Sequence, residues 1–159
     1  MTPQEFLARS QRQVAAMQRA KQASVKVGLP AGEQATSQAY TSDGNRPAAT
    51  VLEVGIFHEY GTQFVPMRSF LRGPFEEKQA EISRALDVQF NLVLESGLDI
   101  EVALGRIGLT AVNISRGAFK TRGYGVWADI KQSTKDAKGS SQVLIDTGIL
   151  RNAITWVVE

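Results

Sequence analysis

The most regular pattern in the chain runs from Ile100 to Ala118. Ile100, Leu104, Ile107, Ala111, Ile114 and Ala118 recur at steps of four and three, which sets one apolar stripe along a helix. Asp99 stands where an N-cap belongs. Upstream, Phe75, Ile82, Leu86, Phe90 and Val93 repeat at near-helical spacing. Gly73-Pro74-Phe75-Glu76-Glu77 opens that segment with proline at the first helical position and acids where the helix dipole favours them. Only a short turn around Ser96-Gly97 separates the two segments, so they are expected as an antiparallel helical hairpin. Gly105 and Gly108 lie beside the stripe and would let a neighbouring helix approach closely.

The flanking segments are shorter. Thr2-Pro3-Gln4-Glu5 combines a cap, a first-position proline and a capping-box acid, predicting a helix to about Lys21. Its large apolar residues, Phe6, Leu7, Val14 and Met17, predict a narrow buried stripe. Arg9, Arg12, Arg19 and Lys21 cover the remainder. Ser24 to Leu29 alternates as a strand with Val25 and Val27 inward. Pro30 to Ala49 is rich in Gly, Ser, Thr, Ala and Gln around Asp43-Gly44-Asn45, and reads as a long flexible loop. Thr50 to Tyr60 fits two templates. Leu52, Val54 and Ile56 alternate as in a strand, whereas Leu52, Ile56 and Tyr60 share a helical face; a strand passing into a short helical turn before Gly61 is the expectation. Gly123-Tyr124-Gly125 stops the long helix. Tyr124 to Lys131 then reads as a strand, Gln132 to Ser141 as a polar loop, Val143 to Ile145 as an apolar strand, Ile149 to Ala153 as a helical turn and Ile154 to Val158 as a closing strand. The sum is an α+β domain over residues 1–159: three main helices, including the hairpin, packed on a small, mainly antiparallel sheet.

Composition narrows the function. Hydrophobic residues make up 43% of 159 and charged residues 21%, the balance of a folded domain. The chain contains no cysteine, which removes disulfides, thiolate catalysis and sulfur-ligated metals. A formal charge of +2 is too small to make nucleic acid the expected main partner, although the basic first helix keeps a nucleic-acid-binding module as an alternative. No apolar run reaches the ~18 residues of a membrane span, and the N-terminus lacks the apolar segment of a secretory signal. A cytoplasmic origin is therefore expected. Candidate chemistry is sparse. Asp146-Thr147-Gly148 resembles the aspartic-protease tripeptide, but only residues 149–159 follow, where that fold needs several strands. The string Gly123-Tyr124-Gly125-Val126-Trp127-Ala128 fits a loose dinucleotide pattern, yet it follows a helix instead of a strand. His58 is the only histidine, a poor basis for a zinc site. No catalytic, cofactor or metal residue is assigned, and no enzyme activity is expected.

The stretch that remains is Phe57 to Arg72. Gly61 permits a tight turn, Pro66 holds Val65 extended, and Met67, Phe70 and Leu71 interleave with Arg68 and Arg72. This reads as an arm that docks on a neighbour. His58-Glu59-Tyr60-Gly61-Thr62 with Val65-Pro66-Met67-Arg68-Ser69-Phe70-Leu71-Arg72 resembles the "EYGT … P-x-R-x-F-L-R" signature of tail-completion and neck proteins of tailed bacteriophages. These include the lambda minor tail protein Z-like and Mu-like virion morphogenesis proteins. Leu144 to Ile154, with Asp146, Thr147, Gly148, Leu150 and Arg151, is similar to that family's "L-x-D/N-T-G-x-L-R-x-S-I", with Ala153 in place of the serine. The resemblance covers about residues 24–159. It implies a non-enzymatic virion part at the head–tail junction, assembled in the bacterial host cytoplasm as a ring, hexamer or dodecamer. Head-connector, tail-terminator or tail-tube proteins would be its neighbours, and DNA would pass through its lumen. On that reading Tyr60, Gly61, Thr62, Pro66, Met67, Arg68, Phe70, Leu71 and Arg72 form a subunit interface, with Phe70 and Leu71 as apolar anchors. The glycine-marked face of the Ile100–Ala118 helix would be the complementary patch. Asp146-Thr147-Gly148 would be a structural turn.

Overall fold

A computed structural model describes residues 2–30, 49–129 and 148–159. The expected loop interior, the strand at Val143–Ile145, and Asp146 and Thr147 lie outside the described residues. The elements are α1 (Pro3–Ala20), β1 (Val25–Gly28), α2 (Val51–Tyr60), α3 (Arg72–Glu77), α4 (Gln79–Ser96), α5 (Ile100–Thr121), α6 (Ile149–Ala153) and β2 (Thr155–Val158). The fold is α+β, helical with a two-stranded sheet. Ser24 and Glu159 exchange both backbone hydrogen bonds, at 2.7 and 2.8 Å, the signature of an antiparallel pair. The chain, expected as one domain, groups into two compact units. One comprises Met1–Val27, Gln79–Ala111 and Trp156–Glu159; the other comprises Gly28–Lys78 and Val112–Thr155.

In the first unit the core is Val93 of α4 with Ile100, Ala103, Leu104 and Ile107 of α5, and Leu86, Phe90, Leu98, Val25 and Val158 pack on it. Every member of the 100–118 stripe is buried, in whichever unit it falls. Asp99 caps α5 by accepting from the Glu101 and Val102 N–H groups. Gly105 and Gly108 do admit a close neighbour, but it is the Trp156 indole of β2 and not a helix. Helix α1 begins with the expected capping box of Thr2 and Glu5. Its burial departs from expectation. Phe6, Leu7, Val14 and Met17 are each more than half exposed, whereas Ala16 and Ala20 face the core. On the same side Gln13 donates to the Leu94 carbonyl and Arg9 pairs with Glu95. The apolar stripe of α1 is therefore turned away from its own core.

The second unit corrects three expectations. Residues 51–60 are helical throughout, because Thr50 and Glu53 form a second capping box that commits the chain to helix before the alternating residues can pair as a strand. The helix opened at Gly73-Pro74 is interrupted at Lys78, so α3 and α4 are separate elements. Tyr124 to Val126 are turn, Trp127 is a bend, and Ala128 and Asp129 are irregular, so residues 124–129 form no strand. Backbone with positive φ from Arg122 to Gly125 winds the chain so that the Trp127 N–H reaches the Arg122 carbonyl at 2.9 Å. Phe70, Phe119 and Trp127 then stack in sequence, each centroid pair 5.6 Å apart.

Candidate functional site

Residues 57–72 form a clasp centred on Glu59. This carboxylate is 5% exposed, and α2 delivers it to the start of α3. Its Oε2 accepts from the Phe70 and Leu71 N–H groups at 2.8 and 3.0 Å. Its Oε1 accepts from the Ser69 hydroxyl at 2.8 Å and from both the backbone N–H and the Nε of Arg72 at 3.1 Å. Leu71, at the N-cap of α3, makes no side-chain cap of its own. Glu59 supplies the missing acceptor from a different helix, and a negative charge there also suits the helix dipole. Ser69 Oγ completes the set by accepting from the Gly73 N–H. Burial works to raise the Glu59 pKa, but the hydrogen bonds from Arg72, Leu71, Ser69 and Phe70 outweigh it and hold the carboxyl below its ordinary value.

Between the two ends of the clasp the chain turns back tightly. Gly61 closes α2 with φ near 76°, and a Cβ there would stand about 3.0 Å from the Met67 nitrogen. Glycine is required on both counts. Thr62 Oγ1 accepts from the Phe64 and Val65 N–H groups, and the Thr62 N–H donates to the Val65 carbonyl. The Arg68 N–H returns to the His58 carbonyl at 2.7 Å. The Arg72 guanidinium lies 4.5 Å from the Tyr60 ring centroid.

This geometry divides the expected interface residues. Phe70 is 1% exposed, with its carbonyl held by the Ser115 hydroxyl at 2.6 Å. As a core residue of its own chain it is not available to anchor a neighbour, which corrects the expectation. Arg68 is also buried. Desolvation lowers its pKa, opposed by the nearby Asp129 charge, and its NH2 reaches the Ala128 carbonyl at 3.5 Å instead of offering a fork outward. Gly61, Thr62 and Arg72 serve the clasp, Leu71 is half-buried and Pro66 is exposed. Gly148, with φ near 71°, takes the left-handed position before α6; Leu150 is buried and Arg151 half-buried.

What the clasp presents outward is Tyr60, Phe64 and Met67, at 62%, 85% and 61% exposure. Phe64 went unnoticed in the sequence because it falls between the two halves of the signature. Beside the tip lies a cleft of about 650 Å3 whose lining includes Met67, Val126 and Trp127 with the charged residues Arg72, Glu76 and Glu77. Trp127 is fixed in that wall by its indole N–H bond to the Ser69 carbonyl at 3.0 Å. The tip and cleft thus join exposed apolar side chains to charged ones of both signs. Among the described residues no cluster of His, Cys, Asp or Glu could hold a metal ion, and no helix is long and apolar enough to cross a membrane. Compared with protein-family models, curated proteins and solved structures, the chain gives no match.

Proposed function

We propose that the chain is a structural subunit of a phage head–tail junction, a neck or tail-completion protein that assembles into a ring by head-to-tail contact. The observation that carries this reading is the pair of unlike apolar surfaces on one chain. One is the clasp tip of Tyr60, Phe64 and Met67 with the cleft beside it. The other is the outward stripe of α1, Phe6, Leu7, Val14 and Met17. A closed ring built from identical subunits by rotation needs two different, mutually complementary patches. Both patches are apolar and exposed, so they match in hydrophobicity. The signature shared with phage neck proteins supports the same reading.

The test exploits the asymmetry of such a contact. Phe64→Glu disables the tip and Phe6→Glu disables the stripe, both at exposed positions where folding is undisturbed. Each variant alone should be monomeric by light scattering, whereas the parent forms rings visible by electron microscopy. Mixed in equal amounts, the two variants retain one intact tip and one intact stripe between them and should form dimers that do not grow. Rings at normal yield from either variant, or monomers from the mixture, would overturn the head-to-tail contact. In a phage encoding the chain, the Phe64→Glu protein should leave filled heads and tails unjoined.

A further inference from the structure

A second cleft, away from the clasp and unused by the assembly reading, is lined by Asn113, Arg116, Gly117, Lys120, Arg151 and Asn152 and has a volume of about 390 Å3. Asn113, Arg116, Gly117 and Lys120 recur at three- and four-residue steps and so share one face of α5. Arg151 and Asn152 come from α6. Three cationic side chains meet here, and among the described residues no carboxylate lines the space. The salt bridges among the described residues involve Arg9, Lys26, Arg72 and Arg122, and none involves these three cations. The cleft is also pre-set. The Arg116 NH2 donates to the carbonyls of Asn152 at 3.2 Å and Ile154 at 2.8 Å, so its guanidinium is fixed while its buried Nε has no partner. Arg151 donates through Nε and NH2 to the Asn152 Oδ1, which leaves the Asn152 amide hydrogens as donors.

We infer that this cleft binds phosphate, and that the phosphate is carried by a nucleic-acid backbone. A fixed guanidinium, that of Arg116, with amide donors beside it suits phosphate oxygens. Like charges gathered in one cleft repel one another and favour entry of an anion. Two features favour a backbone over a small free anion. Arg116 and Lys120 stand one helical turn apart, so the positive charge runs along α5 and does not converge on one point. Among the described residues no aromatic side chain lines the cleft, so none of them stacks on a base, as a nucleotide pocket or single-strand platform requires. The contact is therefore sequence-independent and electrostatic. It stands independently of the ring contact, and failure of either leaves the other intact.

The experiment is fluorescence anisotropy of a short labelled duplex of mixed sequence with the full chain, repeated over a salt series. Three neutralised phosphates give a slope of log K against log salt of about −2.7. Lys120→Glu with Arg151→Glu should weaken binding at least roughly tenfold at low salt, for removal and reversal of two of the contacts. Arg9→Glu with Arg12→Glu on α1 should leave it within about twofold. Lys120→Ala, which trims one exposed side chain, should lower the slope by about 0.9 and keeps the test open if the double reversal does not fold. No duplex binding by the parent at low salt overturns the inference. So does loss of binding through the α1 variant, which assigns the contact to the first helix. Binding of pyrophosphate without binding of duplex reduces the cleft to a small-anion site, and equal binding of polyglutamate removes its preference for phosphate; both outcomes overturn the nucleic-acid assignment.

Discussion

Replacing Glu59 with glutamine tests whether one carboxylate holds the clasp together. Glutamine keeps the shape and offers a single acceptor oxygen, whereas Glu59 uses two oxygens to receive five donors. Whichever way the amide turns, its NH2 group faces N–H groups that had an acceptor. Turned one way, it confronts the Phe70 and Leu71 N–H groups, the first of them buried; turned the other, it confronts the Arg72 N–H and Nε. A buried donor left without a partner costs about 1–3 kcal/mol, and bonds to a charged acceptor are the stronger ones. Part of the set is half-exposed and can recover water. The loss should therefore be about 3 kcal/mol, a lowering of Tm by roughly 6–12 °C for a chain of this size.

The pH dependence supplies the sharper check. The Glu59 carboxyl is lowered in the folded state from 4.5. A group whose folded pKa lies below its unfolded one stabilises fully above the unfolded value, and that contribution is lost as pH falls through the folded value. Protonated Glu59 resembles glutamine, so the gap in Tm between parent and Glu59→Gln should be constant near neutrality. It should then close progressively below about pH 4.5. Calorimetry of both proteins between neutral and acid pH measures this directly. A gap under about 1 kcal/mol at neutral pH, or one that does not narrow in acid, would refute the clasp.

Phe70→Ala should destabilise by about 3–5 kcal/mol as a core truncation, seen as an early thermal transition, whereas an interface residue would lower assembly with Tm unchanged. Leu104→Ala should cost about 2–4 kcal/mol through lost burial and a cavity; near-neutral melting would mean that the inward face of α5 is misassigned. Gly61→Ala should cost about 1–3 kcal/mol because the left-handed backbone and the adjacent Met67 leave no room for a Cβ, and an unchanged Tm would refute that steric argument.

Long helices were legible because their buried faces are apolar by composition. The stripe from Ile100 to Ala118 reads directly as a face, and every residue in it is buried. Helix α2 escaped because its buried face is Val51, Gly55 and Glu59. Those three residues stand at helical spacing, yet one is a glycine and one a carboxylate, so hydrophobic periodicity points instead to Leu52, Ile56 and Tyr60, of which Ile56 and Tyr60 are exposed. A side chain at Gly55 would meet Leu29, Leu150 and Phe70. The signal that could have found the helix was the box of Thr50 and Glu53, a local polar pattern beside a misleading apolar alternation. Helix α1 misled in the opposite sense. Its four large apolar residues define a stripe, but amphipathicity states only that a face is to be covered, not by what. Ala16 and Ala20 pack more closely on the core than bulky residues could, and they leave the bulky face outward.

The same division clarifies what the signature from His58 to Arg72 does. Its polar letters build: Glu59 receives five donors, Thr62 closes the turn, and Ser69 bridges Glu59 to Gly73. Its most apolar letter, Phe70, is core. The exposed side chains Tyr60, Phe64 and Met67 project from a loop whose two ends are tied to one carboxylate. A short loop fixed in this way loses little conformational freedom on binding, which favours affinity for a given contact area. On the proposed assembly reading, function and stability are carried by interleaved residues a few positions apart, so loss of assembly would mean different things at different positions. At Phe64 it reports the contact. At Glu59 or Phe70 it reports collapse of the platform that presents the contact, and only the accompanying change in Tm separates the two.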